Sequence, residues 1–186
     1  NSFKLSVIVP CYNEKKTIEK ILKKIISSLN NYQFSNYEII IIDDNSTDNT
    51  KEKILSFIKL DSRFKYFSTY QYNKKLNYKK KALHLGIEKA QYNWLLFTDV
   101  DCNFKEKWAL SMSQYFIDCD YLIGFSRVVS TNTIISKFQS IDFQMLMLSA
   151  CSSSTLNYPL ACTGQNQAYK KSIFKEVGGF SKIKNL

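Results

Sequence analysis

The sequence predicts an α/β fold, a mostly parallel sheet flanked by helices, and three observations carry that prediction. Short β-branched apolar runs alternate with amphipathic helical stretches at the spacing of βαβ units. The second run, Ile39-Ile40-Ile41-Ile42, is apolar without alternation, as a strand covered on both faces must be. Three of the runs end in polar clusters, and in a parallel sheet the carboxyl ends of the strands share one edge, where ligands of open α/β folds bind.

Taken in order, residues 5–9 form the first strand, ending at Pro10, which cannot donate to a ladder. After an Asn13-Glu14 turn, Ile18, Ile21, Leu22, Ile25, Ile26 and Leu29 recur at helical spacing, with Lys15, Lys16, Lys20, Lys23 and Lys24 on solvated faces. Residues 38–42 are the second strand. Ser46, Thr47 and Asp48 offer capping side chains to a second helix that carries Ile54, Leu55 and Ile58. Residues 66–70 are a third strand, 82–90 a third helix with Leu83, Gly86, Ile87 and Ala90 on one stripe, and 94–97 a fourth strand leading to Thr98 and Asp99. Beyond it the pattern predicts a helix over 105–116, a strand over 121–125, a helix over 134–150, and a polar loop from Gln165 running into a short helix that ends at Val177.

Length and composition bound the class. At 186 residues and 45% hydrophobic content the chain buries a sizeable core, and its length fits one domain over 1–186 better than two. No stretch reaches the roughly 18 consecutive apolar residues of a membrane-spanning helix, and even residues 141–148 are short and interrupted. The first residues lead straight into a strand pattern without the regions of a secretory signal. Five widely spaced cysteines with no Cys-x-x-Cys pair indicate neither a disulfide framework nor a zinc site, so reduced thiols in cytoplasm are expected. His84 is the single histidine, which leaves Ser-His and Cys-His nucleophile schemes little to build on. The net charge of +10 suits nucleic acid, an anionic membrane surface or a phosphate-bearing ligand. Only Arg63 and Arg127 are arginines, however, and lysine lacks the planar fork used in bidentate readout, which weighs against nucleic acid.

The three clusters are residues 10–14, residues 43–48, and Asp99-Val100-Asp101. Two aspartates one residue apart at a strand end offer hard oxygen ligands to Mg²⁺ or Mn²⁺, ions that take one or two carboxylates together with substrate phosphates. A solvated Asp-x-Asp turn is the plain alternative for that motif alone. A carboxylate at Asp43 or Asp44 can accept N–H groups of a base while Ser46 or Asp48 caps a helix. Tyr12 can stack on a base or close the margin of the core, and the Lys79-Lys80-Lys81 run can reach phosphates or face water. Neither Gly-x-Gly-x-x-Gly nor Gly-x4-Gly-Lys-Ser/Thr occurs, so a phosphate must be held without a glycine-rich cradle.

Together, the segments at 6–14 and 42–48, Lys79 before Ala82-Leu83, residues 98–101, 163–171 and 176–180 resemble the family 2 glycosyltransferases in order and spacing. The resemblance covers nearly the whole chain. It implies a Rossmann-like GT-A fold with a nucleotide-binding half of about residues 1–102 and an acceptor-side half of about 103–186. It implies inverting transfer of a sugar from a nucleoside-diphosphate donor, a UDP-sugar by expectation, to a hydroxyl of a glycan or lipid-linked acceptor in cell-surface polysaccharide synthesis. It assigns Pro10, Tyr12 and Glu14 to the nucleoside, Asp44 with Asp43 to the base, and Lys79 to the ribose or diphosphate. Asp99 falls to the ribose or metal, Asp101 is the principal metal ligand, and Gly164 and Asn166 border the acceptor. The family places its general base in an acidic pair shortly after the Gly-Gly-Phe segment, here Gly178-Gly179-Phe180. The expectation is therefore that the base lies beyond Leu186, along with a segment that associates with the inner face of a membrane. A catalytically incomplete nucleotide-sugar-binding fragment and a basic RNA-binding or scaffold domain are the alternatives this sequence leaves open.

Overall fold

The computed structural model describes residues 3–30, 34, 36–156, 158–159 and 162–182, so the first two residues, expected to lead into the first strand, lie outside it. Strand β1 (Lys4–Cys11) is followed by helix α1 (Ile18–Asn30), β2 (Asn36–Asp43), α2 (Thr50–Leu60) and β3 (Phe64–Ser68). Next come α3 (Tyr78–Lys89), β4 (Trp94–Thr98), α4 (Trp108–Ser113), β5 (Tyr121–Ile123), α5 (Ile134–Thr155), β6 (Asn166–Lys170) and α6 (Lys171–Glu176). A short 3-10 turn, Gly179–Lys182, follows.

The sheet order is β3-β2-β1-β4-β6-β5. β3, β2, β1 and β4 are mutually parallel, while β6 runs antiparallel between β4 and β5. The alternation of side chains across the pleat divides the core in two. Leu5, Val7, Val9, Ile39, Ile41 and Leu96 pack against α1 on one face, and Ile8, Ile40, Ile42, Leu95 and Phe97 pack against α3 on the other. The continuous isoleucine run is thus buried on both faces, as its lack of alternation requires. Gly86 lets α3 approach closely, since a Cβ there would lie 2.8 Å from Ile8 Cγ2 and 3.2 Å from Ile42 Cγ1. Near the amino ends of the strands the buried Glu38 carboxylate accepts hydrogen bonds from Ser6 Oγ, the Gln91 amide and Lys65 Nζ, each at 2.6 Å. Three donors offset its desolvation.

Strand order reverses between β1 and β4, because the chain steps outward from β1 to β2 and β3 and then returns to the far side of β1. In open α/β sheets ligands bind outside the carboxyl ends of the strands at such a switch point.

Several expectations change: β3, α3 and β5 have other bounds than the expected 66–70, 82–90 and 121–125, and four further differences have a local cause or consequence. Pro10 and Cys11 lie inside β1, because the parallel register continues to Pro10 opposite Ile42 and Cys11 opposite Asp43. The helix expected over 105–116 is confined to α4, and α5 runs on to Thr155. The segment expected as a polar loop is strand β6, whose Gln167, Ala168 and Tyr169 are buried between two neighbouring strands. At α2 the N-cap residue is Asn49, with no side-chain cap bond, while the Thr50 amide donates to Asp48 Oδ1 at 3.0 Å. Among the described residues no helix is long and apolar enough to cross a membrane.

Candidate nucleotide and metal site

The loops after β1 and β2 are tied to each other. Asn13 takes φ 54°, a left-handed conformation that asparagine tolerates better than most residues. Its amide donates to Ser46 Oγ at 2.9 Å, and its Oδ1 accepts the Thr47 amide at 2.8 Å. The Glu14 amide donates to Thr50 Oγ1 at 2.8 Å, and the Lys15 amide to Asp48 Oδ2 at 3.3 Å. The polar cluster of 43–48 thus clamps the preceding loop as well as beginning a helix. Glu14 itself accepts the Thr17 and Ile18 amides through its carbonyl, starting α1. Tyr12, next to this clamp, is 58% exposed.

The two adjacent aspartates have different surroundings. Asp43 is buried with both oxygens engaged, Oδ1 accepting the Ser46 amide at 2.9 Å and Oδ2 accepting Tyr66 Oη at 2.8 Å. Asp44 is half-buried, and Thr69 Oγ1 donates to its Oδ1 at 2.6 Å. Across β1, Asp99 follows β4 and accepts Lys79 Nζ at 2.5 Å. Lys79 reaches it from the first turn of α3. Asp101 is exposed and makes no hydrogen bond or ion pair among the described residues.

This edge carries a negative field. Burial pushes the Cys11 thiol far up, and the carboxylates of Asp43, Glu14, Asp48 and Asp44 push it further in the same direction. Cys11 is therefore an inert packing thiol. Burial likewise raises the Cys102 thiol beside the Asp99 turn. Lys79 is the cation paired with Asp99, so an anionic ligand here needs further positive charge.

The donor set suits a hard divalent ion. Asp99 and Asp101 supply carboxylate oxygens one residue apart, and the second carries no competing partner. No group of three or more His, Cys, Asp or Glu among the described residues could cage an ion alone. The remaining ligands would be waters and substrate oxygens, the sparse arrangement typical of Mg²⁺ with phosphates.

On the β6 side, Asn166 lies opposite Thr98 in the sheet register. Its Oδ1 accepts Trp108 Nε1 at 3.0 Å and its Nδ2 donates to the Phe125 carbonyl at 3.5 Å, so its amide braces the two neighbouring segments. Gly164 is exposed, and a Cβ there would meet nothing within 4 Å. Among the described residues Thr163 Oγ1 is buried without a hydrogen-bond partner. Pro10, Tyr12, Glu14, Asp43, Asp44, Lys79, Asp99 and Asp101 thus share the carboxyl edge, with Gly164 and Asn166 beside β4.

Sequence reasoning missed Thr69, Tyr66, Asn13 as a clamp, and Trp108. Thr69 directly follows a parallel strand, a position the shared-edge rule could have flagged, and an Asn at a strand end is a known candidate for a left-handed turn. His84, the single histidine, lies on α3 and faces Tyr72 Oη through Nδ1 at 2.6 Å and Lys74 Nζ through Nε2 at 3.1 Å. Burial first, then the charge of Lys74, lowers its pKa.

The sequence profile of glycosyl transferase family 2 matches residues 6–178. The poly-β-1,6-N-acetyl-D-glucosamine synthase of Staphylococcus epidermidis is 29% identical over 178 residues, 94% of this chain and 41% of that protein. A GalNAc(5)-diNAcBac-PP-undecaprenol β-1,3-glucosyltransferase of Campylobacter jejuni is 39% identical over 98 residues, 53% of this chain and 29% of that one. The chain therefore spans less than half the length of either. Among solved structures, the mannosyltransferase PcManGT of Pyrobaculum calidifontis, in complex with GDP-Man and Mn²⁺, superposes with a TM-score of 0.68 at 20% identity, covering 96% of this chain and 48% of that one. S. aureus TarS 1-349 with UDP-GlcNAc gives 0.59 at 20% identity, covering 94% and 47%. The fold is that of the GT-A glycosyltransferases.

Proposed function

The chain belongs to glycosyl transferase family 2, and from that premise we propose that it holds a nucleoside-diphosphate sugar, a UDP-sugar, along the carboxyl edge of its sheet. The donor serves inverting transfer to a hydroxyl of a glycan or lipid-linked acceptor in cell-surface polysaccharide synthesis. The UDP-GlcNAc complex of TarS and the names of the two relatives support the donor and acceptor classes. Residues up to about 102 form the donor half and 103–186 the acceptor half.

One observation carries the reading: two carboxylate clusters, Asp43-Asp44 and Asp99-Asp101, flank β1 at the point where strand order reverses. Asp44 takes the base, because one of its oxygens is oriented by Thr69 while both oxygens of Asp43 are engaged within the loop. Pro10, Tyr12 and Glu14 surround the nucleoside, with the exposed Tyr12 ring stacking on the base. Lys79 and Asp99 meet the ribose and diphosphate. Asp101, with Asp99, would hold Mn²⁺ or Mg²⁺, and the presence of Mn²⁺ beside GDP-Man in the PcManGT complex supports a divalent ion. Such an ion would supply countercharge to the departing diphosphate; the acceptor oxygen would bond to the anomeric carbon as the bond to the diphosphate oxygen breaks, with inversion, and the hydroxyl proton would pass to a general base. The negative field around Cys11 supports this assignment, since a diphosphate approaching that edge needs a countercharge larger than Lys79 alone. Gly164 borders the acceptor, with open space where a side chain would stand, and Asn166 supports it through Trp108 and Phe125. No described residue is assigned as general base.

Titration calorimetry with UDP and GDP, each with and without Mn²⁺, tests the proposal. UDP binding strengthened by Mn²⁺ and weaker GDP binding are expected. UDP affinity unchanged by the ion would sink the metal assignment.

A further inference from the structure

The loop between β3 and α3 forms one side of the base site, and a closed set of hydrogen bonds ties it to α3. At its start the Thr69 amide donates to the Asp43 carbonyl at 3.0 Å, and Thr69 Oγ1 donates to Asp44 Oδ1 at 2.6 Å. Further along, the Tyr72 amide donates to the Thr69 carbonyl at 3.1 Å. The Tyr72 hydroxyl then reaches α3, where His84 Nδ1 lies at 2.6 Å and Glu88 Oε2 at 2.7 Å. Lys74 Nζ lies 3.1 Å from His84 Nε2 and 2.8 Å from Glu88 Oε1. His84 and Glu88 are an i,i+4 pair, so they share a face of the helix. The same helix carries Lys79, on Asp99, in its first turn.

The donors and acceptors of this set fix the protonation of His84. Although burial opposes it, hydrogen bonds from Lys74 and Tyr72 hold Glu88 ionised, and a carboxylate only accepts. Tyr72 has one hydroxyl proton and gives it to Glu88, so His84 Nδ1 must donate to Tyr72 Oη. The Lys74 ammonium only donates, so His84 Nε2 must accept. Both constraints select the same neutral tautomer, protonated at Nδ1. The side chain is 13% exposed, and the rings of Phe174 on α6 and Phe180 in the turn after it lie 6.1 and 6.2 Å from the imidazole between centroids. Lys171 of α6 donates to the Glu88 and Ala90 carbonyls at the end of α3. A second proton, at Nε2, would set donor against donor and charge against like charge at Lys74. Burial first and then Lys74 lower the His84 pKa, with Glu88 opposing. Protonation thus costs the loop its Lys74 tie to the imidazole. We propose that neutral His84 is a positioning residue for nucleotide binding: with Glu88 it anchors Tyr72 and Lys74, and so holds Thr69 where it orients Asp44. The inference rests on the reading that Asp44 takes the base.

His84 is the only histidine in the chain, so nitrogen NMR of labelled histidine reads this site alone. The Nδ1–H tautomer and a titration midpoint below the ordinary histidine value of about 6.5 are expected, as is a further fall of about half a pH unit when UDP saturates the protein without metal. That fall follows by linkage: if protonation weakens UDP about threefold, UDP disfavours protonation by the same factor. The charge of the nucleotide acting alone would raise the midpoint instead. In calorimetry without metal at about pH 7.5, Tyr72→Phe should bind UDP about threefold to tenfold more weakly, the loss of a hydrogen-bonded tie. His84→Asn, whose amide keeps a donor for Tyr72, should bind within about twofold of wild type. Lowering the pH to about 5.5 should weaken UDP more in wild type than in His84→Asn, the titration of the ligand being common to both. An Nε2–H tautomer, a midpoint that UDP raises or leaves in place, or Tyr72→Phe binding UDP as tightly as wild type would overturn the proposal while leaving the donor reading intact. Wild type that fails to bind UDP, or Asp44→Ala that binds it unchanged, would overturn the donor reading and this inference with it.

Discussion

Around β1 and β2 every strand residue after the first is buried and the loops at their carboxyl ends are clamped together by side-chain hydrogen bonds, whereas α5 exposes most of a long apolar surface. Both regions lie in one chain and both are rich in aliphatic residues. The first uses them to fix the backbone from which Asp43, Asp44, Asp99 and Asp101 project, so the residues proposed for the donor need little rearrangement before binding. The second leaves them exposed among the described residues. Burial, and not hydrophobic content, separates the two regions here.

The largest test of this contrast is a matched pair of truncations. Ile41→Ala, in the doubly covered strand, should cost about 2–5 kcal/mol in urea denaturation, as fully buried isoleucine positions do. Ile141→Ala, in α5, should change monomer stability by less than about 0.5 kcal/mol. Equal losses would erase the distinction. Gly86→Ala comes next. The added methyl would press on Ile8 and Ile42, and overpacking of about 1–3 kcal/mol should exceed the helix-propensity gain of up to about 1 kcal/mol; a stabilised variant would show that α3 is less tightly seated. Asn13→Ala should act more gently. It removes the acceptor for the Thr47 amide and leaves a less tolerant residue at positive φ, so a loss of about 1 kcal/mol is expected, with UDP binding weakened severalfold by calorimetry. Unchanged binding would mean that the clamp does not position Tyr12 and Asp44.

The region near β1 was also the more legible one. The apolar runs and the stripe of α1 are local patterns whose period alone decides the element, and the rule of the shared carboxyl edge then brings Asp44 and Asp101, far apart in sequence, to one rim. β6 was missed because Asn166, Gln167 and Lys170 carry no strand signal of their own. The burial of Gln167, Ala168 and Tyr169 comes from the two strands that flank them, a tertiary effect outweighing propensity. The partners of the site residues were hidden for the same reason: Thr69 on Asp44, Tyr66 on Asp43 and Trp108 on Asn166 are contacts across elements, set by register and not by spacing. Lys79 was chosen by its resemblance and is found on Asp99, but nothing in the run Lys79-Lys80-Lys81 distinguishes which lysine would reach that carboxylate.

The division of labour along the edge, base at Asp44 and diphosphate metal at Asp101, has one direct measurement: UDP affinity of wild type, Asp44→Ala and Asp101→Ala with and without Mn²⁺. Asp44→Ala should weaken UDP by about tenfold whether or not the ion is present, as loss of a charged hydrogen bond does. Asp101→Ala should leave metal-free affinity unchanged and remove the gain that Mn²⁺ brings to the wild type. A gain from Mn²⁺ that survives intact in Asp101→Ala would contradict the assignment.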